Sequence, residues 1–177
     1  MLKELEDYNW FPKIWRRWQT EFIGSIAIWT NLYKPLVPVL NKMITEQRVT
    51  ALQDCCSGSG APAMYVHKQL AIQLPMLLTD KYPDESFENK PSVIYSIHPA
   101  DVLQMQPVEN ILYSMYNAFH HFSAEQQKDI LQKMAANKTP FLIAELLEPG
   151  FINIIKIFFT TTLGQIFTAP FVQPFSL

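Results

Sequence analysis

The sequence predicts an α/β protein with a doubly wound, mainly parallel sheet, and three observations support this fold class. Short apolar runs alternate with helical segments between residues 49 and 149. Several of the runs are rich in β-branched and aromatic residues, which favour strands. The first run opens into a glycine-containing loop that precedes a helical segment. Such alternation is typical of crossover units, which place helices on both faces of a parallel sheet.

The first apolar run and its loop, ALQDCCSGSGAPA, begin at Ala51. Asp54 ends the run, Gly58 and Gly60 lie in the loop, and residues 64–74 are predicted to form a helix. Glycine lets a backbone approach a ligand closely, since no Cβ intervenes. The amides and dipole of a following helix point at the same place. The stretch therefore predicts a nucleotide-type binding corner.

Four later apolar runs complete the predicted pattern, and polar residues stand near the predicted strand ends. The runs are PMLLTD (75–80), SVIYSIHPAD (92–101), VENILYSMYNAF (108–119) and TPFLIAELL (139–147). Between the last two, Ser123 and Gln126 predict a capping box at the start of a helix. Ligands of parallel sheets bind at the carboxyl ends of the strands. The polar residues expected at this edge are Asp54, Asp80, Asp101, Asn117 and Glu145.

Length and composition limit the class of protein. The 177 residues are enough for one domain, and 49% hydrophobic with 17% charged residues excludes an intrinsically disordered chain. A net charge of -2 without a long basic run gives no reason to expect nucleic acid. Two adjacent cysteines and an acidic N-terminus, MLKELEDYNW, predict a cytoplasmic protein rather than a secreted one. No metal-ligand spacing is evident.

Residues 1–47 are predicted to form an amphipathic helical cap. Aromatic and aliphatic residues recur at three- to four-residue steps, and a second helix is expected around Tyr33–Met43. The repeating residues are Trp10, Phe11, Trp15, Trp18, Phe22 and Ile26. The simpler interpretation is that this cap packs on the domain. The alternative is that it also closes over a bound ligand.

Residues 151–177 are predicted to form an apolar helix and a tail of the same domain, whose core is residues 48–150. From Ile157 to Leu177 no residue is charged, which in length alone is enough to span a bilayer. Pro170 and Pro174 interrupt this stretch, so a core helix followed by an extended tail is favoured over a membrane span. Its apolar surface predicts self-association.

Five pieces of the sequence together resemble the class I S-adenosylmethionine-dependent methyltransferases, in the family's order and spacing. They are QDCCSGSGAP, LLTDKYP, IHPADVLQM, NILYSMYNAFHHFS and FLIAELLEP, and they cover roughly residues 49–149. The N-terminal YNWFPKIWRRWQTEFI is similar to the leader helix of a bacterial branch. The resemblance implies a Rossmann-like sheet of strand order 3-2-1-4-5. It also implies a truncated member, because the family fold continues past the fifth strand with a helix and two antiparallel strands.

The resemblance assigns roles to the residues at the predicted sheet edge. Gly58 and Gly60 would pass beneath the methionine part of the cofactor, and Asp54 would lie near its ammonium. Asp80 would accept hydrogen bonds from the ribose hydroxyls, and Asp101 would receive the adenine amine. The implied cofactor-binding set is Asp54, Gly58, Gly60, Asp80, Asp101 and Asn117. Cys56 stands where the family usually has glycine.

The methyl acceptor is expected to be a small molecule that the sequence does not identify. Methyl transfer needs mainly alignment of two groups, so a dedicated nucleophile–base pair is not expected. The catalytic candidates are His120, His121 and Tyr116, with Tyr113 as a further residue that could line an acceptor pocket. For each of them the alternative is an ordinary packing or loop residue.

Two other functions fit parts of the sequence. Gly58, Gly60 and Ala63 also match GxGxxA with Asp80 about twenty residues further on, which is typical of a nicotinamide-dependent oxidoreductase. Pro62 in the turn, and the lack of a dehydrogenase-like catalytic set downstream, count against this function. The other alternative is a non-catalytic remnant that serves as a binding module.

Overall fold

The computed structural model describes Trp10, Gly24, Ser25 and residues 28–145. From Leu36 to Ala144 the chain forms three α-helices and five strands, with one short 3₁₀ turn between β4 and α3. In chain order they are α1 (Leu36–Glu46), β1 (Ala51–Cys55), α2 (Ala61–His67), β2 (Met76–Thr79), β3 (Val93–Tyr95), β4 (Ile111–Tyr116), the 3₁₀ turn (Phe119–His121), α3 (Ala124–Ala136) and β5 (Phe141–Ala144).

The five strands form one sheet of order β3-β2-β1-β4-β5, and every pair is parallel. β1 is central, with Asp54 in register with Leu78 of β2 and Ser114 of β4. The strand order reverses on either side of β1, which places a crevice at the carboxyl ends of β1 and β4. The predicted Rossmann-like α/β fold and its strand order are confirmed.

Each face of the sheet has its own apolar layer. On one face α1 and α2 cover a cluster that includes Leu52, Leu78 and Leu112. On the other, Ile130 and Met134 of α3 pack with a cluster that includes Cys55, Tyr113 and Met115. The chain leaves β1 toward β2 but leaves β4 toward β5, so right-handed crossovers put α2 and α3 on opposite faces. Each large buried side chain contributes about 1.5–3 kcal/mol.

Several predicted boundaries are wrong by a few residues. The helix predicted at 64–74 runs from Ala61 to His67, because Pro62 fits the first turn and the chain bends after the helix. That bend is held by the His67 ring, whose Nε2 lies 2.7 Å from the Leu74 carbonyl oxygen. The helix expected around Tyr33–Met43 begins at Leu36, with Pro35 as its N-cap.

Strand β3 is much shorter than the run from which it was predicted. It ends at Tyr95, so Asp101 lies six residues beyond it rather than at its end. The strand ends where Ser96 turns the chain: its hydroxyl accepts from the His98 amide at 3.2 Å. The capping box of α3 is confirmed, since the Ser123 and Gln126 side chains each accept from the other's backbone amide.

Most residues of the predicted N-terminal cap, and the whole predicted apolar helix and tail (151–177), lie outside the described residues. The expectations of a closing cap, a truncated fold and self-association therefore stay predictions. Within the described part of the chain, no helix combines the length and apolarity that crossing a bilayer requires. The same residues contain no cluster of three or more His, Cys, Asp or Glu side chains that could hold a metal ion.

Candidate functional site at the carboxyl edge of the sheet

The glycine loop is anchored to β2 by hydrogen bonds around Ser57. The Ser57 amide donates to the Thr79 carbonyl at 3.0 Å, and the Thr79 amide donates to the Ser57 hydroxyl oxygen at 3.1 Å. Both hydroxyls donate to the Asp54 carbonyl, at 3.0 Å from Ser57 and 2.8 Å from Thr79. All three residues are buried, so these bonds are shielded from water and fix where the loop begins.

The next part of the loop is held by Asp80 and Tyr95. One carboxylate oxygen of Asp80 accepts from the Gly58 amide at 2.8 Å, and the other accepts from the Tyr82 amide at 2.8 Å. From β3, the Tyr95 hydroxyl donates to the Gly58 carbonyl at 2.7 Å. Sequence reasoning missed Tyr95, whose only signal was its place in an apolar run. The structure brings Gly58 and Asp80 together, as expected for one binding corner.

Gly60 begins α2 in a conformation that suits glycine. Its φ is +70°, and a Cβ built there would lie 2.5 Å from Cδ1 of Leu78, a fully buried residue. The Gly60 amide donates to the Ser57 carbonyl at 2.7 Å, which closes the loop on itself. Gly60 is therefore required for the turn and for close packing on β2.

Cys56 has a φ of +56°, which side chains other than glycine adopt at a cost of about 1–2 kcal/mol. The resemblance placed this residue where glycine is usual, and the observed conformation is one that glycine favours. We expect Cys56→Gly to raise the free energy of unfolding by about 0.5–1 kcal/mol, since some packing of the half-buried thiol is lost.

Urea denaturation of the wild type, Cys56→Gly and Cys56→Ala would measure this effect. Alanine keeps the Cβ, so Cys56→Ala should give no stabilisation. Equal stability of the two variants would contradict the strain argument. Cys55, by contrast, is buried in the second apolar layer, and both cysteines are free thiols.

Asp54 is buried at the end of β1, with 2% of its surface exposed. Its Oδ1 accepts from the Ser114 hydroxyl of β4 at 2.7 Å. Burial raises the pKa of Asp54 from 3.8 to about 7; the hydrogen bond from Ser114 opposes the rise, and the nearby charge of Asp80 adds to it. The pKa of Asp54 therefore lies near neutral pH, and its side chain is buried between β1 and β4.

Asp101 lies in the loop after β3 and not at a strand end. Its Oδ1 accepts from the Leu103 amide at 3.0 Å, which caps a turn, and its Oδ2 lies 3.6 Å from the Lys81 ammonium. Lys81 follows Asp80 directly, and the Ala100 amide donates to the Asp80 carbonyl at 2.8 Å. The loop thus brings Asp101 back toward the end of β2, while its carboxylate also has a local structural role.

Asn117 follows β4 with a left-handed φ of +51°. Its backbone amide donates to the Ala144 carbonyl of β5 at 2.8 Å, and its side-chain amide donates to the Tyr33 hydroxyl at 2.7 Å. The Tyr33 and Tyr116 rings meet edge to face with centroids 5.1 Å apart. Tyr116, a catalytic candidate, is therefore a buried packing residue beside this edge.

His120 and Glu145 form a pair at the ends of β4 and β5. His120 Nδ1 lies 2.6 Å from Glu145 Oε2, and the Phe119 amide donates to Glu145 Oε1 at 2.7 Å. Burial alone would raise the pKa of Glu145, but the hydrogen bond and charge of His120 and the backbone amides hold it below its ordinary value. The His121 ring lies against the His120 ring, with centroids 4.3 Å apart.

The sequence pattern places His120 and Glu145 after predicted strands but does not predict that they form a pair. The pair could have been predicted by combining two points. Each residue follows a strand, and the predicted strand order makes β4 and β5 neighbours in the sheet. A carboxylate bound to Nδ1 orients an imidazole and favours its protonated form, so the arrangement can remove a proton from a bound group. Tyr113 has a different position, because its ring lies in the second apolar layer and its hydroxyl accepts from the Val108 amide at 3.0 Å.

Comparison with known proteins gives only distant structural likenesses. No protein-family model matches the sequence, and no curated protein sequence matches it. The fold is similar to the human N-acetylserotonin methyltransferase structure in complex with SAM, at 13% identity and a TM-score of 0.47 over 63% of this chain. It is also similar to an O-methyltransferase family protein from Burkholderia thailandensis, at 15% identity and a TM-score of 0.45 over 68% of this chain. The matches span 34% and 39% of those proteins.

Proposed function

We propose that this chain binds S-adenosylmethionine and transfers its methyl group to a small-molecule acceptor in the cytoplasm. The observation that carries the proposal is the charge at the carboxyl edge of the sheet. One carboxylate lies near the end of β1, two directly follow β2 and β5, and a fourth comes from the loop after β3: Asp54, Asp80, Glu145 and Asp101. S-adenosylmethionine carries a sulfonium and an ammonium, whereas NAD carries a pyrophosphate with two negative charges. His120 lies beside Glu145 and Lys81 beside Asp101. The negative charge of Asp80 and of ionised Asp54 favours the cationic cofactor over a pyrophosphate.

The backbone of the glycine loop supports the same choice. A phosphate group needs amides that point outward from such a loop. Here the Ser57, Gly58 and Gly60 amides already donate to groups within the protein. Pro62 removes a further donor from the first turn of α2. The geometry is therefore poorly suited to a pyrophosphate and leaves the oxidoreductase alternative without structural support.

The residues fit defined roles toward the proposed cofactor. Asp80 accepts the Gly58 and Tyr82 amides beside the glycine loop, and in this proposal its carboxylate also receives the ribose hydroxyls. Asp54 at the end of β1 attracts the ammonium, and Asp101 beside Lys81 is placed to receive the adenine amine. When bound, the cofactor supplies the electrophilic methyl group.

The His120–Glu145 pair supports an acceptor that must lose a proton. A hydroxyl becomes a good nucleophile only as its proton is removed, and an oriented imidazole provides a base for that step near neutral pH. We therefore propose a hydroxyl-bearing small molecule as the acceptor, with His120 as base and Glu145 holding it. His121 lies against the His120 ring and has no separate role in this proposal.

The proposed function is tested by calorimetric titration with S-adenosylhomocysteine and, separately, with NAD. We expect binding of S-adenosylhomocysteine and none of NAD. Asp80→Ala should weaken S-adenosylhomocysteine binding about thirty-fold or more, because charge-assisted hydrogen bonds to both ribose hydroxyls are lost. The same variant should also lower stability, since two backbone amides lose their acceptor.

Asp129→Ala is the matched control, because Asp129 is exposed on α3 and lies outside the proposed site. It should leave binding unchanged. Circular dichroism would confirm that each variant is folded at the titration temperature. Binding of NAD in place of S-adenosylhomocysteine would favour the oxidoreductase, and binding of neither ligand would favour a non-catalytic binding module.

A further inference from the structure

Tyr33 comes from the turn before α1, yet its hydroxyl contacts Asn117, directly beyond the carboxyl end of β4. Only 1% of the residue is exposed. Its oxygen accepts from the Asn117 side-chain amide at 2.7 Å, and its ring packs edge to face on Tyr116. The carboxylates of Asp54 and Glu145 are close enough to act on it electrostatically. An N-terminal residue is thus built into the edge of the sheet where the cofactor is proposed to bind.

The Tyr33 hydroxyl has one hydrogen-bonding function that the protein leaves unused. It accepts a hydrogen bond, but among residues 28–145 no acceptor takes its own proton. Buried donors in proteins are nearly always satisfied, because leaving one unpaired loses the hydrogen bond it made to water. Tyr113 is equally buried and also accepts one backbone hydrogen bond, but it lies on the opposite face, away from the crevice.

The hydroxyl remains a donor under all ordinary conditions. Burial raises the pKa of Tyr33 far above its usual range, and the charges of Glu145 and Asp54 raise it further. The protonated Tyr33 hydroxyl can donate to an anionic group, and the acidic side chains near it attract a cationic group. A ligand that carries both groups close together therefore fits this place. An α-amino-acid group has this composition, since its ammonium matches the acid and its carboxylate matches the hydroxyl.

We propose that the Tyr33 hydroxyl donates a hydrogen bond to the α-carboxylate of the bound cofactor, while Asp54 attracts the neighbouring ammonium. This inference rests on the proposed function and deepens it, because it names the residue that recognises the amino-acid end of the ligand. The left-handed Asn117 fixes the direction of the hydroxyl through its side-chain amide. Tyr33 therefore discriminates ligands with the carboxylate from those without it.

The test compares two ligands and three proteins by calorimetric titration. The ligands are S-adenosylhomocysteine and its decarboxylated analogue, which keeps the ammonium and lacks the carboxylate. The proteins are the wild type, Tyr33→Phe and the control Tyr113→Phe. Tyr33→Phe should weaken S-adenosylhomocysteine binding about tenfold or more and change binding of the analogue less than about twofold. Tyr113→Phe should change neither.

An equal loss for both ligands in Tyr33→Phe, or no loss for either, would overturn the inference while leaving the proposed function intact. If wild type binds neither ligand, the proposed function fails and this inference fails with it. If Tyr33→Phe does not fold, the inference is tested by comparing the affinities of the wild type for the two ligands. It should then prefer S-adenosylhomocysteine to the analogue by at least about tenfold, and equal affinities would overturn the inference.

Discussion

Asp54→Asn is expected to raise the free energy of unfolding by about 2–4 kcal/mol at pH 8 and by much less near pH 4. The folded pKa of about 7 lies above the ordinary 3.8, so the folded protein holds a proton that the unfolded chain releases between these values. The contribution of Asp54 to the free energy of unfolding of the wild type is fully present below pH 3.8. It is lost as the pH rises to about 7. Asparagine keeps a neutral side chain at every pH and avoids that loss.

Urea denaturation of both proteins between pH 4 and pH 8.5 measures the difference, which should grow with pH and level off above about pH 7. Asp129→Asn, on the exposed side of α3, is the control and should give a small difference that does not vary in this way. A constant difference for Asp54→Asn would contradict the buried, titrating acid. A buried acid that lowers the stability of the fold at neutral pH is typical of a binding site, which agrees with the role proposed for Asp54.

Gly60→Ala is expected to lower the free energy of unfolding by about 2–5 kcal/mol. The positive φ contributes about 1–2 kcal/mol of this loss. Displacement of Leu78 by a methyl group 2.5 Å from its Cδ1 contributes about 1–3 kcal/mol, because the neighbouring core is closely packed. Chemical denaturation gives the value, and a loss below about 1 kcal/mol would mean that the turn adapts.

A double-mutant cycle separates the two contributions to that loss. Leu78→Ala removes the atom that the new methyl group meets, so the double variant Gly60→Ala/Leu78→Ala should be less destabilised than the sum of the single variants. The expected coupling is about 1–3 kcal/mol, which is the contact contribution. Simple additivity would assign the whole effect of Gly60→Ala to its backbone conformation.

The sheet was predictable because its evidence is local. Each strand is a short apolar run, and each connection between strands is a helix or a turn. The glycine loop shows where the first connection begins, after β1. The end of β3 was not predictable from the same pattern, because apolar character continues through Ile97 while the Ser96 hydroxyl has already turned the chain. Helix α2 likewise ends early because of contacts made by His67 and Gln73 side chains, which hydrophobic periodicity does not record.

The contacts that define the site join residues that are far apart in the chain. The sequence therefore predicted which residues lie at the site better than it predicted which of them contact each other. Tyr33 and Asn117 are separated by 84 residues, Gly58 and Tyr95 by 37, and His120 and Glu145 by 25. The strand order brings the second and third pairs together. The first pair depends on a tertiary contact of the N-terminal part of the chain, for which no sequence pattern was available.

The hydrogen bonds of the glycine loop also determine which process orders that loop. Ser57, Gly58 and Gly60 are held by backbone and side-chain partners within the protein itself. The conformational entropy of these residues, about 1–2 kcal/mol each at room temperature, is therefore lost when the chain folds. A ligand that arrives at the crevice meets a loop already in position, so its affinity is not reduced by the entropy of arranging this part of the backbone.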